Sequence, residues 1–598
     1  MALRFFGLKN RQTLFLRAIV WLTTSALTMY LAIACSSGNI PNGVSSNGAS
    51  SNGASSNGAI ANGATPNESR PELAVGTNLR GITDWSTQVP FLDLFKSART
   101  WIPQCVNGEP GCDGSWDTGE FAQLDLDEQG WVKSLPQPED APKYTRVRTI
   151  LLGGGGKYPQ GQYVVLYDGE GTIEYTYDAR KDEAASKPGR DIIEVNSANG
   201  GEGAHLMITA TDPRKTGNYI RNIRVVPIAH EMTYETEIFN PAFIEKTQKF
   251  SALRFMDWMN TNSSEQREWS DRPKVEDASY AFGKGVPLEI MIALANRLGA
   301  DPWFNMPHKA TDDYMQKFAS LAKEKLDSKL KVYVELSNEV WNWTFPQSHY
   351  ALEQGKARWG QDKGDAFAQW YGMRAAQMAD IWKQVFGEAG AGQSSRLIAV
   401  LSTQTGWQGL ETSILDCSYW VAEGNTPCYQ HGDAYAVTGY FSGNLGSPDA
   451  EKQVESWLKE SNGGFGQALK RLDQKGDWGD SLQDTRDGFV YHKKVAESKG
   501  LKFLAYEAGQ HVAGRQGVEN NAQLTQFFIN LNRRPEMYEM YTKLLNSWKD
   551  EGGSLFMHFS DIDEPSKWGS WGALEYVDQP NSPKYDALMD FIQQNQLR

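Results

Sequence analysis

The chain has 598 residues, 40% of them hydrophobic and 12% aromatic, with 20 tryptophans, which is enough apolar material for a large core and too much chain for one simple unit. Its formal net charge of −14 argues against a nucleic-acid groove or an anionic membrane surface as partner.

The first stretch reads as an address. Arg4, Lys9, Arg11 and Arg17 precede an apolar run at 18–34, as in a secretory signal. The run ends Leu31-Ala32-Ile33-Ala34-Cys35 and resembles a bacterial lipobox, with Ala32 where Leu is usual. The resemblance implies that residues 1–35 form a lipoprotein signal, that Cys35 is lipidated, and that the protein is exported to the cell surface, outer membrane or periplasm. A retained transmembrane helix is the alternative, but the run is short of the roughly 20 residues a span needs. Residues 36–70 repeat Ser-Ser-Asn-Gly-Ala three times between Ser45 and Ala59, a composition that buries no core and reads as a flexible tether.

From 71 onward the pattern is strand, loop and helix. The run at 73–81 is strand-like, and 90–100 reads as an amphipathic helix carrying Phe91, Leu92, Leu94 and Phe95. Between about 125 and 230 only strand signals occur, at 145–152, 163–167, 172–177, 191–195, 206–210 and 219–226. Asp168-Gly169-Glu170-Gly171 is a hairpin turn between two of them. These strands predict a β-sandwich at 125–230.

Alternation then resumes. Strands are predicted at 252–256, 301–306, 331–336, 397–402, 435–440, 502–506 and 554–559, with helices such as 287–298, 311–322, 364–386 and 521–531 between them. With the run at 73–81 the strands total eight. The expected fold is therefore α/β, a (β/α)₈ TIM barrel formed by 71–124 and 231–598, with the sandwich inserted between barrel strands one and two. A doubly wound open sheet is the alternative, but neither a G-x-G-x-x-G nor a P-loop follows the first strand.

Apart from Cys35, four cysteines remain, Cys105 with Cys112 and Cys417 with Cys428. Each pair lies close in sequence and reads as a disulfide of an oxidising compartment. A four-cysteine zinc site is the rival, but no C-x-x-C knuckle is present. No metal or cofactor is expected, and a monomer is.

In a barrel of this kind the chemistry sits at the C-terminal ends of the strands. Strand four ends Glu335-Leu336-Ser337-Asn338-Glu339-Val340-Trp341, and strand seven ends Tyr506-Glu507-Ala508-Gly509. Two carboxylates facing each other across a barrel mouth are the equipment of glycoside hydrolysis. Here the sequence resembles the clan of retaining barrel glycosidases that includes the cellulase and mannanase families. The match rests on Asn338-Glu339 closing strand four and Glu507 closing strand seven. The resemblance implies an enzyme that cleaves β-linked polysaccharide or oligosaccharide by double displacement, with Glu339 as acid/base and Glu507 as nucleophile. It further implies Arg254 and Tyr440 beside the nucleophile, Asn338 on the sugar 2-hydroxyl, and His308 in a sugar subsite. Trp341, Trp343, Trp407, Trp568 and Trp571 fall in strand-end loops as candidate sugar platforms, as do Trp85 and Trp258. Glu335 lies deeper in strand four and is assigned a hydrogen-bonding role. The sequence departs from the clan at Val340, where Pro is usual, and at strand eight, which lacks the clan's Trp. A non-catalytic polysaccharide-binding lipoprotein and an envelope transglycosylase are the competing functions.

Overall fold

The computed structural model describes residues 73–140, 142–153, 155–387 and 396–597. The signal, Cys35 and the tether lie outside the described residues.

The first strand, β1 (Ala74–Asn78), is followed by eight strands that never join it: β2 (Ile102–Gln104), β3 (Arg146–Leu152), β4 (Gly161–Asp168), β5 (Gly171–Tyr177), β6 (Ala179–Lys187), β7 (Arg190–Val195), β8 (Ala204–Thr211) and β9 (Arg221–Pro227). The series continues with β10 (Ala252–Arg254), β11 (Asp301–Met306), β12 (Val332–Leu336), β13 (Leu397–Ser402), β14 (Ala434–Phe441), β15 (Lys502–Gln510) and β16 (Leu555–His558). β1 and β10 to β16 form a closed barrel in chain order. All eight pairings are parallel, and β16 pairs with β1 to close the ring. β12, β13 and β14 are buried at every position, because each strand meets side chains inside the ring and helices outside it. That double burial is why they read as unbroken apolar runs.

The helices are fixed by local chemistry at their ends. The Thr311 hydroxyl accepts from the Tyr314 N–H at the start of Asp312–Lys325. Ser481 and Asp484 form a reciprocal capping box at the start of Leu482–Lys499. Gly387 ends the long helix Ala366–Phe386 in the left-handed conformation that glycine adopts without penalty.

The eight strands between β1 and β10 make two antiparallel four-stranded sheets, ordered β2-β3-β8-β5 and β6-β7-β4-β9. Val147, Leu151, Leu206 and Ile208 of the first, and Tyr163, Val165, Ile193 and Val225 of the second, belong to the same buried cluster as the barrel. The alternate residues Val164, Ile192 and Val226 of the second sheet form a separate cluster beneath Tyr234.

Two boundaries differ from expectation. Ile102–Gln104 pairs with β3 and so belongs to the sheets, although it precedes residue 125. A three-residue strand containing Pro103 is too short to show a period. The helix expected at 90–100 is a single 3₁₀ turn, Leu94–Ser97. Its aromatic residues are buried on more than one side: Phe91 packs on Phe239, Trp258 and Tyr280, and Phe95 on Trp101 and Trp131. Tertiary packing overrides the helical pattern there. Disulfides Cys105–Cys112 and Cys417–Cys428 are both formed.

Candidate active site

The barrel mouth is organised around Arg254, the last residue of β10, which is wholly buried. Its Nη2 donates to Glu335 Oε2 at 2.8 Å and to Asn338 Oδ1 at 2.9 Å. Its Nη1 donates to Glu507 Oε1 at 2.8 Å and to Asn78 Oδ1 at 3.1 Å. The guanidinium lies over the rings of Trp303 and Tyr506, 5.5 and 5.2 Å from their centroids. One planar cation thus ties the ends of β1, β12 and β15 to β10, using the fork geometry that only arginine offers.

Glu335 points into the barrel. Its Oε2 also accepts from Trp303 Nε1 and Asn305 Nδ2, and its Oε1 from Ser402 Oγ at 2.7 Å. With both oxygens committed, it holds Arg254 in place.

Glu507 is 4% exposed and accepts from Arg254 and, at 3.0 Å, from the Tyr440 hydroxyl. Glu339 is 2% exposed and accepts from the Tyr506 hydroxyl and Asn342 Nδ2, each at 3.0 Å. Ser337 and Glu339 both have left-handed backbone (φ 59° and 42°), which costs energy for residues with a Cβ and aims successive side chains of this turn into the mouth.

The electrostatics separate the two carboxyls. Burial, reinforced by the charge of Glu507, pushes Glu339 up to about 8. Burial also pushes Glu507 up, to about 7, against the opposing pull of Arg254 and the Tyr440 hydroxyl. Of the two, only Glu507 takes a hydrogen bond from a cation, so it is the first of the pair to ionise, and Glu339 keeps its proton longer.

A cavity over Glu507 is lined by Asn338, Tyr440, His511, Phe559 and Trp571, among others. Met256, Tyr440, Phe559 and Trp571 form a cluster of their own, distinct from the core. Trp571 stands 6.0 Å from Tyr440 and 4.8 Å from His511, centroid to centroid, so an aromatic wall exists although strand eight ends in Phe559.

Other expected residues fall elsewhere. His308 is buried but does not line this cavity; it lies in a neighbouring groove with Trp343, Tyr350 and Glu353. Trp341 is buried edge-on to Tyr371 and Tyr506, whereas Trp343 and Trp407 are partly exposed and pack on Phe367. Trp568 sits under the Lys567 ammonium, and its carbonyl accepts from Trp571 Nε1. Trp258 is fully buried in the core and cannot face a cleft.

Asn78, Tyr506, Asn342 and His511 were not expected at the site. Asn78 ends β1 and is open to the same strand-end reading as the others. Tyr506 is not, because alternation places it opposite Glu507. The register between β14 and β15 skips there, from Val437 opposite Ala505 to Thr438 opposite Glu507. This bulge lets consecutive side chains reach the mouth together.

No protein-family model matches the sequence, and no curated protein does. Among solved structures the chain is similar to a 4-O-α-L-rhamnosyl-β-D-glucuronidase from Fusarium oxysporum (11% identity, 58% of this chain and 64% of that one, TM-score 0.32). It is also similar to an endoglucanase from Thermotoga maritima (10% identity, 58% and 88%, TM-score 0.30) and an endo-β-1,4-mannanase from a Bacillus species (13%, 51% and 68%, TM-score 0.29). The chain thus spans just under two thirds of the length of the Fusarium enzyme. The eight-stranded parallel barrel is established by the strand order itself.

Proposed function

We propose that the protein is a retaining glycoside hydrolase acting on a β-linked polysaccharide or oligosaccharide. The observation that carries this reading is the pair of buried carboxyls at the ends of β12 and β15 with opposite surroundings. Glu507 is held by a cation and a phenol, and Glu339 by neutral donors alone.

In the first step a Glu507 carboxylate oxygen bonds to the anomeric carbon while the glycosidic C–O bond breaks. Glu339 gives its proton to the departing oxygen. In the second step the Glu339 carboxylate takes a proton from water, the water oxygen bonds to the anomeric carbon, and the ester to Glu507 is released. Arg254 and Tyr440 keep Glu507 ionised and oriented. Asn338, whose Oδ1 accepts from Arg254 and whose Nδ2 donates one hydrogen to Asn262 Oδ1, has its second Nδ2 hydrogen for the sugar 2-hydroxyl. Trp571 supplies a ring for stacking. The lipobox reading places this enzyme outside the cytoplasm, anchored through Cys35.

Azide rescue tests the two roles. With an activated aryl β-glycoside, Glu339→Ala should still form the glycosyl-enzyme and release a β-glycosyl azide. Glu507→Gly should form no intermediate and yield only an α-glycosyl azide by direct attack. The same anomer from both variants would refute the assignment.

A further inference from the structure

The first inserted sheet has an outer face that the barrel chemistry does not use. The register places Arg148 of β3 opposite Met207 of β8 and Ile102 of β2, and Thr176 of β5 opposite His205 of β8. Val147, Leu206 and Ile208 point the other way, into the core. The outer row therefore carries Gln104, Arg148, His205, Met207 and Thr176 side by side.

Arg148 is 8% exposed and donates to Gln104 Oε1, Thr176 Oγ1, His205 Nδ1 and Met207 Sδ, all neutral acceptors. Glu174 lies on the same face and acts on Arg148 through space, but no ion pair joins Arg148 to a carboxylate among the described residues. His205 Nε2 meets the Glu202 carbonyl, so the ring donates there and accepts from Arg148 at Nδ1. Burial and the Arg148 charge push its pKa down to about 4, so the cations of this face at neutral pH are Arg148 and its neighbour Arg146, which stands opposite Gln104.

Two aromatic rings close over this cation. Trp116 is 45% exposed and lies 5.0 Å from the guanidinium. Tyr177, turned by left-handed backbone (φ 61°) at the end of β5, lies 5.5 Å from it and 4.4 Å from His205. Trp116 is not a stray surface residue. Gln104 Nε2 donates to its carbonyl at 2.7 Å, Thr118 N–H donates to the Pro103 carbonyl, and the Cys105–Cys112 disulfide ties the loop between β2 and Trp116.

A buried cation with no direct ion pair can still gain from a contacting anion, and an ordered, half-exposed indole is a stacking surface for a sugar ring. We propose that this face binds an acidic polysaccharide, Trp116 stacking on a sugar ring and Arg148 attracting its carboxylate or sulfate. The site is independent of the barrel mouth, and it gives an acidic protein a local foothold on an anionic chain.

The test uses the full chain carrying Glu507→Gln, so that no polymer is cut, in affinity gels containing polygalacturonate, a sulfated galactan or a neutral β-glucan. The expected result is retention by at least one acidic polymer, weakening with added salt, and weaker retention by the neutral one. Trp116→Ala should lower affinity for the acidic polymer at least fivefold. Arg148→Gln, which keeps hydrogen-bonding capacity without charge, should do the same and weaken the salt dependence, with Arg146 left on the face. The two acidic gels tell carboxylate from sulfate recognition. In the Glu507 background, Trp116→Ala should turn over a small aryl glycoside as the parent does. Undiminished retention of Trp116→Ala, or no retention of the parent on either acidic polymer, would overturn the proposal. A chain with Glu507 intact that turned over no glycoside, while the Glu507→Gln chain still bound, would instead overturn the hydrolase reading alone.

Discussion

At the residue scale the protein does its sorting with one arginine. Arg254 contacts both Glu335 and Glu507, yet only Glu507 is left facing a cavity, because Trp303, Asn305 and Ser402 occupy the oxygens of Glu335. The raised values of Glu507 (about 7) and Glu339 (about 8) set the expected activity window. On the proposed mechanism, protonation of Glu507 ends activity on the acid side and deprotonation of Glu339 ends it on the alkaline side. The profile of kcat/KM against pH should be a bell with both limbs above the ordinary carboxylate range. Tyr506→Phe removes a donor that favours ionised Glu339, so Glu339 holds its proton more tightly. The alkaline limb should move up by about one to two pH units, given roughly 1.5–3 kcal/mol for a hydrogen bond to a charged group, while the acid limb stays put. An alkaline limb that moved down would count against Glu339 as the acid. The same raised values mean that the folded state binds protons more tightly than the unfolded chain here. These two carboxyls therefore cost stability progressively as pH rises from the ordinary carboxylate range to about 8. Contacts between Arg254, Glu507 and Tyr440 were legible in the sequence because each residue falls in the C-terminal half of a barrel strand. Tyr506 was hidden by the bulge. The groove position of His308 was hidden because a residue beyond a strand end has no fixed direction.

At the scale of elements, the barrel strands and the helices Leu288–Leu298, Asp312–Lys325, Ala366–Phe386 and Ala522–Asn532 between them were legible, and the segment joining β1 to the sheets was not. A strand buried on both faces leaves a continuous apolar run, whereas the turn Leu94–Ser97 and the strand Ile102–Gln104 take their form from partners distant in sequence. The cysteine pairs were readable from proximity alone. Cys417–Cys428 links the end of the helix Leu410–Asp416 to the short turn Cys428–Gln430, beneath the helix Ala366–Phe386. Gly372 of that long helix allows the approach: a Cβ there would stand 2.1 Å from the Ile414 carbonyl oxygen and 2.6 Å from Cys417 Sγ. Opening the disulfide frees a loop with a sequence separation of 11. The Cys428→Ser variant should lose about 3 kcal/mol by loop-closure entropy and keep the parent's kcat, since neither cysteine touches the barrel mouth. Denaturant titration beside turnover of an aryl glycoside checks both halves. A loss of kcat at unchanged stability would show that this loop shapes the site.

At the scale of the whole molecule, the open question is whether the inserted sheets are an independent unit or part of the barrel's cooperative fold. Their presence was legible as a hundred-residue stretch without helical period. Their attachment was not, because it runs through the segment that imitates a helix. That segment is a seam. Phe91 packs against Trp258 of the barrel side, Phe95 against Trp131, and Asp93 accepts from the Val225 N–H of β9 at 2.9 Å. Arg99 donates to Asp84 with both Nε and Nη2 at 2.9 Å, tying the seam to the loop after β1. The buried cluster continues through it without a break. Surfaces joined by apolar contacts of this kind do not part before they unfold, so barrel and sheets should melt in one transition. Phe95→Ala should cost about 3–5 kcal/mol, the usual range for removing a buried phenylalanine. That loss should lower the midpoints reported by sheet and barrel tryptophans together. Hydrogen exchange followed by peptide on the parent and the variant measures this: β4 and β7 of the sheets should gain exchange in step with β12 and β14 of the barrel. Sheets that opened in the variant while the barrel strands kept the parent's protection would show an appended domain, and the seam would then be a contact rather than part of one core.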